Sequence, residues 1–333
     1  MGFIVTNQQH ARLLARELKE IPLRDVQGEA LNAPPKVERE INAGGFLTYH
    51  NHTVVGGCVL KIYGQGKVIP TPYTLREAEA LCDATRQYNE ILKASGISVP
   101  NLRVHRPIRY GKTARFYALE LLQDMIGDGK SVMDRVRQSD VPAGEVLRLN
   151  HELLTATYKA ANYAGAGRPN APFNGSLTLA INGLTYRLEP PFNASVGIDN
   201  KPQNVILDEH GKAFFVDPYP PFQLNKEGSF VVDEILRRKI KKDSPFDLFY
   251  WHMCDKRLLY CKPHLLIMMA RPELRQKLER QVIEFTREHE HPLVAAAVEQ
   301  EIKEGYPLAS HSLDVLDGAI VIPPLQTRAS RRM

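Results

Sequence analysis

One stretch of this chain constrains it more than any other, residues 197–217. Asp199-Asn200-Lys201-Pro202-Gln203-Asn204 is a polar loop that Pro202 keeps out of regular structure. Val205 to Leu207 has the length and apolarity of a short buried strand. Asp208 to Gly211 has turn composition, and Ala213 to Val216 reads as the return strand. The hairpin brings Asn204 and Asp217 to one end, with Asp199 close by. Two carboxylates and an amide oxygen gathered there are hard oxygen donors of the kind that hold Mg²⁺.

The remaining composition sets limits. The 333 residues are 43% hydrophobic and 24% charged, the balance of an ordinary globular protein. The length allows one large domain or two lobes. A wholly disordered chain, a collagen and a coiled-coil rod are excluded. The apolar run Leu265 to Ala270 falls far short of a membrane span. Asn7, Gln8, Gln9 and His10 interrupt any secretory signal core, so a cytoplasmic protein is expected. Met1-Gly2 with Thr6 fits a myristoylation pattern too short to outweigh an ordinary chain start. Net charge is +5, and Arg328, Arg331 and Arg332 near the C-terminus supply three of the five. A second basic run, Arg237, Arg238, Lys239, Lys241 and Lys242, has no interleaved aromatic residues for base stacking. A solvated helix face is expected there rather than a nucleic-acid surface. Cys58, Cys82, Cys254 and Cys261 are scattered and read as reduced thiols. His252, Cys254, Cys261 and His264 are close in sequence, but their spacing matches no common zinc module.

The pattern along the chain is α+β, with sheet and helices segregated. Residues 7–19 read as an amphipathic helix. Val37 to Tyr63 is strand-rich, with Gly44-Gly45 at a turn. A long helix is predicted from Thr74 to Ala94, with Thr74 and Glu77 as a capping box and Gly96 closing it. Leu102 to His105 and Phe116 to Leu122 are strand candidates. Ser131 to Arg137 and Gly144 to Tyr163 read as helices. Ser176 to Leu188 is a hairpin turning at Asn182-Gly183. From Phe246 onward the pattern is helical again, through Leu265, Leu278, Val282 and Phe285. The end beyond Pro324 is polar and basic.

Asp199-x-Lys201-Pro202-x-Asn204, followed by Asp217, resembles the catalytic segment of the protein-kinase-like superfamily. The resemblance implies Asp199 as the catalytic base candidate, Lys201 steadying the transferred phosphoryl group, and Asn204 with Asp217 as Mg²⁺ ligands. Upstream, Val59-Leu60-Lys61 resembles the strand whose Lys holds the α- and β-phosphates of ATP. Ile41 to Phe46, with Gly44 and Gly45, resembles the glycine-rich loop, Asn42 and Leu47 replacing two of its glycines. Tyr117 to Leu122, including Glu120, resembles the hinge strand whose backbone holds adenine. Glu79 and Glu90 are the two candidates for the helix Glu that pairs with Lys61. They are eleven residues apart, so they share a helix face. The resemblance spans roughly residues 37–220, in the family's order.

The implied architecture is bilobal. Residues 1–121 would form a small β-rich lobe with an N-terminal helical extension. Residues 122–324 would form a larger helical lobe carrying the catalytic loop and an inserted segment at 164–195, followed by a basic tail at 325–333. Gly197-Ile198 stands where protein kinases have His-Arg, and Pro218 follows Asp217 in place of Phe-Gly. No Ala-Pro-Glu segment follows. These departures are similar to small-molecule kinases of the aminoglycoside-phosphotransferase type. The expected activity is therefore ATP-dependent phosphoryl transfer to a hydroxyl of a small or specialised acceptor. A nucleotide-binding pseudokinase and a nucleotidyl-transferring enzyme are the alternatives. Neither the acceptor nor the oligomeric state is written in a recognisable motif.

Overall fold

The computed structural model describes residues 37–41, 52–55, 58–63, 73–110, 116–163, 176–181, 184–217, 235 and 251–316. The helix expected at 7–19, Gly44-Gly45, the basic run at 237–242 and the tail at 325–333 lie outside the described residues.

The N-terminal part of the described residues holds the strands β1 (Val37–Ile41), β2 (His52–Val55), β3 (Cys58–Tyr63), β4 (Leu102–Tyr110) and β5 (Phe116–Asp124). They form one antiparallel sheet in the order β1-β2-β3-β5-β4. β4 is therefore an edge strand, which is why Pro107 is tolerated within it.

Helix α1 (Leu75–Ala94) connects β3 to β4 and packs against β4 and β5. Its start follows the expected chemistry. The Thr74 hydroxyl accepts from the Glu77 backbone N–H at 3.3 Å, and the Glu77 carboxylate accepts from the Thr74 N–H at 2.8 Å. Ala78, Leu81, Cys82, Thr85, Tyr88, Asn89 and Leu92 form its buried stripe, at the three-to-four spacing of one helical face. Each fully buried Leu in that stripe contributes roughly 1.5–3 kcal/mol. Gly96 ends the helix region at φ +85°, in the left-handed region that glycine enters without a Cβ penalty.

The C-terminal region is mainly helical. α2 (Val132–Val136) is capped by Ser131, and α3 (Ala143–Ala161) follows it. A two-stranded hairpin, β6 (Leu177–Ile181) with β7 (Leu184–Leu188), has the register Ile181↔Leu184. Asn182 and Gly183, where the turn is expected, lie outside the described residues. After a second, smaller hairpin come α4 (Lys256–Ala270), α5 (Arg275–His289), α6 (Pro292–Lys303) and α7 (Pro307–Leu316).

α4 sits in the middle, touching α3, α5, α6 and α7. It is buried on all sides: Leu258, Leu259, Tyr260, Cys261, Lys262, Pro263, His264 and Leu265 are all inside. The four cysteines are buried thiols. His264 Nε2 lies 2.8 Å from the Tyr306 hydroxyl, and no metal-holding group of three His, Cys, Asp or Glu exists among the described residues. No described helix is long and apolar enough to cross a membrane.

Candidate functional site

The second hairpin builds the site. β8 (Val205–Leu207) pairs with β9 (Ala213–Phe215) in the register Val205↔Phe215. The Asp208 carboxylate closes the turn by accepting from the N–H groups of His210 at 2.9 Å and Lys212 at 2.8 Å. Beyond the ladder, the Val216 N–H donates to the Asn204 carbonyl at 2.9 Å. Asn204 and Asp217 therefore lie at the same end of the hairpin.

Pro202 to Asn204 form one 3₁₀ turn, which folds the preceding loop back on itself. The Asn204 side-chain amide donates to the Asp199 carbonyl at 3.0 Å. Its nitrogen is thereby committed, and its Oδ1 is the atom left to ligate. An amide oxygen and a carboxylate at one end of the hairpin are hard donors of the kind Mg²⁺ takes.

Asp199 is held from two sides. Lys201 Nζ is 3.3 Å from one carboxylate oxygen, and Lys262 Nζ is 3.4 Å from the other. Burial pushes the Asp199 carboxyl upward, but the two ammonium groups outweigh it and hold the acid below its usual range. Burial pushes Lys262 down to about 8, against the pull of Asp199. His252 nearby is driven well below its usual value, by burial first and then by the positive charges of Lys262 and Lys201. It is neutral at pH 7.

Lys61 reaches the same end of the hairpin from the sheet. It is 2% exposed, and its Nζ donates to the Val216 carbonyl. Gln123 Nε2 donates to that carbonyl as well, at 3.3 Å. Gln123 lies opposite Val59 in the β3–β5 pairing, so it shares a sheet face with Lys61. Burial lowers the Lys61 pKa, and the Asp217 charge beside it works in the opposite direction.

Two expectations need correction. Glu79 and Glu90 do share a face of α1, but it is the solvent face. Glu79 is exposed, and Glu90 is exposed and paired with Lys93 at 2.9 Å. Neither side chain is directed to Lys61, because the inward stripe of α1 passes through Thr85, Tyr88 and Asn89 instead. Glu120 is in the middle of β5, with Ile62 on one side and Arg106 on the other. Strands pair on both sides of β5 there, so its backbone lies inside the sheet, and its buried carboxylate accepts from Arg106 Nε at 2.8 Å. The strand continues to Asp124. The glycines expected to clasp phosphate, Gly44 and Gly45, lie outside the described residues.

Three participants escape a sequence reading. Tyr88 donates to the Gly197 carbonyl at 2.6 Å, Gln123 shares the Val216 carbonyl, and Lys262 touches Asp199. The available signal for Lys262 was a charged residue directly before a proline in an otherwise apolar helix.

No family model matches the chain, and no curated protein matches it. Among solved structures the chain is similar to the MAP kinase LmaMPK10 from Leishmania major, at 12% identity and a TM-score of 0.32, covering 93% of this chain and 88% of that one. A likeness that slight assigns neither fold nor function.

Proposed function

We propose that this chain is an ATP-dependent phosphotransferase of the protein-kinase-like superfamily, acting on a hydroxyl of a small or specialised acceptor. The observation that carries the reading is a convergence. Lys61 of the sheet and Asp217 beyond β9 meet around the Val216 carbonyl, while Asn204 ties Asp217's hairpin to the Asp199 loop. Lys61, far away in sequence, thus brings an ammonium to the segment 199–217, which supplies a hard-cation donor pair and an ionised carboxylate. The sheet order and the helix α1 between β3 and β4 support a small nucleotide-holding lobe, with the helices around α4 as the larger lobe.

In this reading Asn204 Oδ1 and the Asp217 carboxylate would hold Mg²⁺, which when bound neutralises charge on the phosphates. Lys61 binds the α- and β-phosphates. Asp199, kept ionised by Lys201 and Lys262, accepts the hydroxyl proton of the acceptor. The acceptor oxygen forms its bond to the γ-phosphorus as the bond to the β–γ bridging oxygen breaks, and ADP leaves. Lys201 steadies the transferring group. Asp199 is suited to this because 13% of its side chain remains reachable.

The test is a screen of γ-phosphate transfer from Mg·ATP to hydroxylated metabolites, antibiotics and generic proteins, with Asp199→Ala as the blank. A phosphorylated small molecule should form with the wild type and not with the blank, which should still bind Mg·ATP. Asp217→Asn should lose Mg²⁺-dependent binding and turnover; undiminished turnover would sink the assignment. Among the described residues, the solvent-facing positions of Glu79 and Glu90 favour a second reading, a nucleotide-binding module. Mg·ATP binding with no transfer to any acceptor is the outcome that selects it. A nucleotide-sized mass gain on the acceptor would select nucleotidyl transfer.

A further inference from the structure

Lys262 is 0% exposed, inside helix α4, and next to it stands Pro263. Proline has no N–H, so the carbonyl four residues earlier, that of Leu259, loses its helical partner. Asn200 takes that place. Its side-chain amide donates to the Leu259 carbonyl at 2.6 Å, and its other hydrogen goes to the Thr157 hydroxyl of α3, also at 2.6 Å. Thr157 in turn donates to the Leu153 carbonyl at 2.8 Å. The residue directly after Asp199 is thus pinned by α3 and α4 together.

One position before that proline, Lys262 reaches Asp199 itself. It meets Oδ1 at 3.4 Å from the buried side, while Lys201, 27% exposed, meets Oδ2 at 3.3 Å from the open side. A fully buried lysine is unfavourable compared with an apolar residue of similar size. Its presence therefore calls for a reason other than stability.

We propose that Lys262 and Pro263 form a positioning device for Asp199. Pro263 releases the Leu259 carbonyl that fixes Asn200, and the Lys262 ammonium fixes Oδ1, which leaves Oδ2 on the open side with Lys201. The proposal rests on the phosphotransferase reading of Asp199. Lys262 is a positioning residue: from its closed location it touches neither nucleotide nor acceptor and acts only through Asp199.

The experiment compares wild-type protein with Lys262→Met, which keeps length and burial but removes the charge, and with Pro263→Ala, which returns an N–H to the Leu259 carbonyl. Crystal structures of the variants give the orientation of Asp199. Kinetics with Mg·ATP and the acceptor found in the screen give kcat and KM separately. In Lys262→Met the Asp199 carboxylate should turn, kcat should fall by about 10²-fold, and Mg·ATP affinity should hold. In Pro263→Ala the Asn200 contact should be lost, kcat should fall and the thermal midpoint should rise. An unmoved Asp199 in both variants overturns the proposal. So does a loss of kcat that only follows a loss of thermal stability and nucleotide affinity, the mark of a merely structural pair. If the wild type transfers no phosphate, the phosphotransferase reading fails by itself. The orientation of Asp199 in the variants still decides the positioning device.

Discussion

The phenol of Tyr88 donates to the carbonyl of Gly197 at 2.6 Å, across 109 residues of chain. This bond links the helix lying on the sheet to the loop that carries Asp199. Tyr88 is fully buried, and its pKa is raised well above the usual value by burial first, with the charges of Asp199 and Asp217 contributing further. It is a neutral donor to the loop that carries Asp199.

Removing that hydroxyl leaves the buried Gly197 carbonyl without this donor. Tyr88→Phe should destabilise the protein by about 1–3 kcal/mol. Urea unfolding of variant and wild type measures it, and equal midpoints would show that the link carries no stability.

The exposed face of α1 predicts the opposite kind of result. Glu79→Gln and Glu90→Gln should each leave stability within about 0.5 kcal/mol. Mg·ATP affinity should be unchanged in both, whereas Lys61→Met should lose it. Calorimetric titration checks this, and a loss of affinity in either Glu variant would return that carboxylate to the site.

Gly127 follows the last strand of the sheet with φ +49°, and a Cβ there would run into the Leu207 carbonyl of β8. Gly127→Ala should cost about 2 kcal/mol or more, from the left-handed backbone together with the displaced contact. Denaturant unfolding reads the change. A wild-type midpoint would mean that the chain leaving β5 does not press on the hairpin of the site.

His264 supplies a pH dependence. Burial pushes its pKa down to about 3, with the Arg275 charge adding to the effect, while its Nε2 faces the Tyr306 hydroxyl. The folded-state value lies below the unfolded one, so the unfolded chain binds the extra proton. The stabilisation is complete above pH 6.5 and is lost as pH falls toward 3. His264→Gln removes this titrating group, so its stability should fall less steeply than that of the wild type over the same range. Parallel pH–stability curves would contradict the assignment.

Much of the site was legible because it is local. The capping box of Thr74 and Glu77 is decided within four residues, and so is the turn at Asp208 to Gly211. Once β8 and β9 pair, period-two geometry places Asn204 and Asp217 at one end without reference to the rest of the protein. Glu79 and Glu90 show where such reasoning stops. Helical periodicity correctly put them on one face, but which face turns inward depended on the sheet. Ala78, Leu81, Tyr88 and Leu92 had more apolar surface to bury against it. Glu120 was misplaced for a similar reason: a strand's sequence does not state whether one or both of its edges are paired.

The order of strands and helices, the turn chemistry and the loop of Asp199, Lys201 and Asn204 follow from interactions between near neighbours. The partners of those residues do not. Lys262 is 63 positions from Asp199, and Val216 is 155 positions from Lys61. A lysine's identity carries its charge but not its surroundings. Only the packing of α4 at the centre of the helices buried Lys262, and only the meeting of sheet and hairpin brought Lys61 to Asp217. Desolvation and long-range contact arise when the chain closes on itself, so the tertiary structure alone decided which charges face one another.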